Sequence, residues 1–80
     1  MQLTPFHLAI PVHDLQVAAQ FYEEVLGCER GREDTQWIDF NLFGHQLVCH
    51  EVEGFRIEAS HNPVDGHGVP VPHFGIVLEL

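Results

Sequence analysis

Only one stretch of this 80-residue chain spaces its apolar residues at helical intervals, and that limits its fold more than any other feature. Between Leu15 and Leu26, the residues Leu15, Ala18, Tyr22 and Val25 fall three or four apart and make one apolar stripe. Asp14 stands where an N-cap accepts the first orphan N–H groups, and Gly27 where a helix ends in a left-handed turn. The remaining apolar segments alternate: Phe6–Val12, Trp37–Phe43 and Gln46–Val52 show the period of two that belongs to strands. A lone helix covers one face of a sheet and leaves the other for water, a ligand or a second sheet.

Alternation also divides the side chains. In the first strand Leu8, Ile10 and Val12 fall on one side, with His7, Ala9 and Pro11 on the other. Gly44-His45 is placed as a two-residue hairpin turn. That register pairs Phe43 with Gln46, Asn41 with Val48 and Asp39 with His50, and on the apolar side Leu42 with Leu47 and Phe40 with Cys49. The face turned from the helix then gathers Trp37, Asp39, Asn41, Gln46 and His50. Asp39 opposite His50 reads either as a solvated cross-strand ion pair or as a carboxylate that orients an imidazole. A three-residue turn would flip the returning strand and bring His45 onto that face, so both registers stay open.

Polar residues Glu29–Gln36 read as a connector, with a further short strand near Arg30–Asp34 or Phe55–Ala59. The stretch from Glu58 to Pro72 holds Pro63, Pro70, Pro72, Gly66 and Gly68 and reads as a loop or linker. A new strand is expected after it. Aligned on the histidine, HFGIVL from His73 matches HLAIPV from His7: a large apolar residue, a small one and an isoleucine follow each.

Charge and size narrow the function. A formal charge of −9 with three Lys+Arg repels phosphate backbones and anionic lipid, so neither nucleic acid nor a membrane surface is an expected partner. No apolar run approaches the roughly 18 residues of a membrane span, and no export signal is evident, so a cytoplasmic protein is expected. Cys28 and Cys49 are then expected as reduced thiols. Seven histidines spread along the chain are the unusual feature, since imidazole is the commonest metal ligand.

The head of the chain, FHLAIPVHDLQVAAQFYEEVLGC, with WIDFNLFGHQLVCHEV after it and PHFGIVLEL restarting the pattern, resembles the vicinal oxygen chelate superfamily. That superfamily includes glyoxalase I, bleomycin resistance proteins and extradiol dioxygenases. The resemblance covers essentially the whole chain, and its most specific part is H-x-A-I-x-V-x-D before a helix ending F-Y-E-E-V-L-G-C.

The resemblance implies an α+β fold: a βαβββ module with a curved mixed sheet and one packed helix over residues 1–57, an inter-module loop over 58–72, and the first strand of a second, truncated module over 73–80. In the superfamily two such modules enclose a divalent metal, and each first strand supplies a histidine; the matching positions are His7 and His73. A carboxylate ligand normally comes from the last strand of the second module, which Glu79 does not match. The chain is therefore expected to be part of a longer one, or to be completed by a partner subunit as a homodimer.

Two imidazoles and a carboxylate suit Fe(II) or Mn(II), with Zn(II) or Ni(II) as alternatives. The strand HQLVCHEV offers no inward glutamate, and glyoxalase-type enzymes usually take one there. The expected activity is accordingly dioxygenase-like, of the extradiol ring-cleavage type, on a small oxygen-rich substrate. A glyoxalase-type lyase or isomerase is one alternative, and a metal-free ligand-sequestering protein of the bleomycin-resistance kind is another. The extradiol resemblance makes His45 the closest match for an acid–base histidine, with His50 second. His13 beside the helix N-cap is expected to be structural, and His61 and His67 to be solvated.

Overall fold

The computed structural model describes residues 4–56 and 61–79. Its elements are β1 (His7–Val12), α1 (Leu15–Gln20), which continues as a π-helical segment (Phe21–Val25), β2 (Glu29–Glu33), β3 (Trp37–Leu42), β4 (His45–Glu51), β5 (His61–Val64) and β6 (His67–Pro70). Strands β1–β4 form one mixed sheet in the order β1-β4-β3-β2, and β5-β6 form a separate hairpin. The α+β class and the single helix on one face of the sheet are as the sequence implies.

Local chemistry explains the helix. Asp14 Oδ1 accepts from the N–H groups of Gln16 at 2.8 Å and Val17 at 3.2 Å. The N–H of Leu15, a third orphan, donates to Glu51 Oε1 of β4 at 3.0 Å, which ties the helix start to the sheet. Near the other end the N–H of Leu26 reaches the carbonyl of Phe21, and Cys28 N–H that of Tyr22 at 2.8 Å, across Gly27 at φ +71°. Leu15, Ala18 and Ala19 are buried against Ile38, Phe40, Leu42, Leu47 and Cys49, with Leu8, Ile10, Val12 and Tyr22 packed around them. The Tyr22 ring lies 5.5 Å from that of Phe40. Cys28 and Cys49 are both free and buried. Burial pushes the Cys49 thiol up to about 11 and the Cys28 thiol upward; the Tyr22 phenol is raised by burial and then by the neighbouring cysteines.

Three strand expectations change. The hairpin turn is Phe43-Gly44, both at positive φ (+52° and +89°), so Leu42 pairs with His45, Asn41 with Gln46, Asp39 with Val48 and Trp37 with His50. The expected Asp39–His50 pair is thereby corrected. The slip preserves the parity of the strand, so every side chain keeps its expected face.

The polar run after the helix does contain a strand, β2, at the first of the two places proposed for one; the second, Phe55–Ala59, runs beyond the described residues. Within the expected loop, Asp65-Gly66 (φ +51° and +80°) turns the β5-β6 hairpin. Residues 71–79, by contrast, have no strand pairing, so the strand expected from His73 is not formed here. Phe74, Ile76 and Leu78 instead border a cavity of about 480 Å³ with Phe6, Leu42 and His45.

Candidate functional site

Strand pairing arranges the face opposite the helix as a grid. Across β1, β4 and β3, His7 sits beside Gln46 and Asn41, then Ala9 beside Val48 and Asp39, then Pro11 beside His50 and Trp37. Val48 and Asp39 at its centre are 5% and 7% exposed, so this open face is already partly shielded by its own side chains.

A chain of hydrogen bonds crosses the grid. The His7 Nδ1 lies 2.7 Å from Gln46 Oε1, and the Gln46 Nε2 amide donates to Asp39 Oδ2 at 3.2 Å. Because an amide oxygen only accepts, the His7 Nδ1 carries the proton. Neutral His7 is then fixed in the tautomer that carries its lone pair on Nε2. A carboxylate oriented through an amide thus sets the direction of an imidazole, as outer partners do for metal-bound histidines.

Asp39 Oδ2 also accepts from Arg32 Nε at 3.4 Å. Strand parity alone would send Arg32 toward the helix, as it does Arg30, whose guanidinium is bound by Glu23 and Glu33. The register shifts between Arg30 and Glu33, which pair with Phe40 and Ile38, so Gly31 and Arg32 together oppose Asp39. This β-bulge turns Arg32 onto the open face, where its guanidinium carbon lies 5.8 Å from the centre of the Trp37 ring. The connector reading of Glu29–Gln36 missed Arg32; a glycine inside a polar strand is the one signal that pointed there.

The expected site residues are divided. His7 and His50 lie on the open face, both exposed, with His50 opposite Trp37. His45 pairs with Leu42 on the helix side, where its ring lies 4.3 Å from that of Phe6 and its Nδ1 accepts the Phe6 N–H at 3.1 Å. Neutral His45 therefore holds its proton on Nε2. His73 is exposed, with Nδ1 2.9 Å from the Pro70 carbonyl and 3.0 Å from that of Val71. Among the described residues no three His, Cys, Asp or Glu side chains converge in a metal-binding group.

This grid, backed by one helix, can be set beside known proteins. The family model for the glyoxalase/bleomycin resistance protein/dioxygenase superfamily matches residues 4–79. The chain belongs to this superfamily. Among solved structures, a glyoxalase/bleomycin resistance protein/dioxygenase from Alicyclobacillus acidocaldarius is 43% identical, with a TM-score of 0.64 over 75% of this chain and 46% of its own. An integron cassette protein from the mobile metagenome of V. cholerae is 25% identical, with a TM-score of 0.52 over 80% of this chain and 50% of its own. The match thus spans about half the length of either structure. No curated protein matches the chain. Among the described residues no helix is long and apolar enough to cross a membrane.

Proposed function

We propose that this chain supplies half of a divalent-metal site in a dioxygenase-like enzyme that acts on a small oxygen-rich substrate. The observation that carries this reading is the His7–Gln46–Asp39 chain, which engages His7 through Nδ1 and so leaves the lone pair on its Nε2. In this reading His7 would offer one imidazole and His73, whose Nδ1 is engaged by carbonyl oxygens, would offer Nε2 of a second, although the described residues do not bring the two together. The carboxylate and any further ligand come from a second module or from a second copy of the chain. Fe(II) or Mn(II) suits such a set, with Zn(II) or Ni(II) as alternatives.

When bound, the metal supplies Lewis acidity and coordination positions for vicinal oxygens of the substrate. The protein's own residues do the rest. Gln46 holds the His7 ring against rotation, and Asp39 holds Gln46. His50, on the same face, is better placed than His45 to move a substrate proton, because His45 is turned toward Phe6 and the helix side.

The dioxygenase reading is favoured over a glyoxalase-type lyase by β4, whose open-face residues are Gln46, Val48 and His50, while Glu51 is committed to the helix N-terminus. Oxygen uptake by the Fe(II)-loaded full-length protein with catechol tests it. Uptake with appearance of a ring-opened product, lost in His7→Ala, is expected. Isomerisation of a hemithioacetal by the same protein without oxygen uptake would favour the lyase, and ligand binding unaffected by metal removal would favour a bleomycin-resistance-like binder.

A further inference from the structure

We propose that Arg32, held over Trp37 by Asp39, is the specificity-determining residue for a substrate that carries a carboxylate at the end remote from its chelating oxygens. This inference rests on the open face being the reaction site. The chain has three cationic residues. Arg30 is consumed by Glu23 and Glu33, and Arg56 lies beyond the end of β4. Arg32 is turned onto the open face because the bulge at Gly31 reverses its parity.

The placement leaves the guanidinium ready for a ligand. Its side chain is 80% exposed while its partner Asp39 is nearly sealed from water. Asp39 engages Nε, which leaves the terminal nitrogens to form the fork that matches a carboxylate with paired hydrogen bonds. The Trp37 ring supports the guanidinium plane. A depression of about 280 Å³ beside this subsite is bordered by Gly31, Asp39, Asn41 and Gln46, together with Pro5 and His45.

Geometry and charge restrict the ligand further. Arg32 and His7 lie on the outer strands of the four-stranded sheet, three strand spacings or about 14 Å apart across it and two residues apart along it, with both side chains reaching inward. A small molecule chelated near His7 can therefore place a group at Arg32 from its far end. A chain of net charge −9, with Asp39 at the subsite, opposes a dianion more strongly than a monoanion, which favours a carboxylate over a phosphate.

The test is an NMR titration of the full-length protein with benzoate and, separately, with its neutral counterpart benzamide, following the Arg32 Nε–H and Trp37 indole N–H signals. Benzoate is expected to shift both signals saturably and benzamide to leave them in place. Arg32→Met should weaken benzoate binding by about tenfold or more, and Arg32→Lys, which keeps the charge but loses the fork, by an intermediate factor. His7→Ala should leave the benzoate response intact while abolishing metal binding, so failure of the chelate site and failure of this subsite are separable. Equal shifts with benzamide, no shift with benzoate, or unweakened binding in either Arg32 variant would overturn the proposal.

Discussion

Asp39 shows how much a single residue can organise. It is buried on the sheet, yet two donors meet the same oxygen, one from Gln46 and one from Arg32. Its two partners point in opposite directions, toward His7 and toward Trp37, so one carboxylate positions both ends of the open face. Cys49 works on the opposite side of the sheet, where it is wholly buried and its thiol is raised from about 9 to about 11. A folded-state value above the unfolded one means that the unfolded chain loses this proton first as pH rises. The stability associated with the neutral thiol is therefore complete below about pH 9 and falls as pH climbs toward about 11. Urea unfolding across that range should show this decline, and Cys49→Ala should lessen it while lowering stability at neutral pH; Cys28 and Tyr22, raised in the same direction, account for what is left. The faces of His7 and His50 were legible in the sequence because alternation fixes a side chain's face; Arg32 was not, because a bulge breaks the alternation that such reasoning relies on.

At the scale of the element, the helix was the most readable part of the chain, since its apolar spacing, N-cap and terminal glycine all agree. Asp14→Ala removes two capping bonds and should cost about 1 kcal/mol, measured as a lower urea midpoint with an unchanged slope. The hairpin was less readable. Its left-handed first turn position is filled by Phe43, a residue that rarely adopts positive φ, so the sequence points one residue too far along, to Gly44-His45. Asn41 Oδ1 accepts the Gly44 N–H at 2.8 Å and so supports the turn from two residues before Phe43. The second hairpin carried the plainer signal, Asp65-Gly66, but was masked by the prolines around it.

At the scale of the molecule, the repeated histidine motif pointed to the superfamily, and the two solved structures compared are each about twice the length matched here. A strand requires a neighbour to pair its backbone, and residues 73–79 have none in the described sheet, which is why a strand-like sequence has no strand structure. The central claim is that His7, steered by Gln46, is a metal ligand, and equilibrium metal analysis of the full-length protein tests it most directly. About one divalent metal per site is expected in the unaltered protein, essentially none in His7→Ala, and about 10–100-fold weaker retention in Gln46→Leu. Equal metal content in the unaltered protein and His7→Ala, or no metal bound by the unaltered protein, would contradict it.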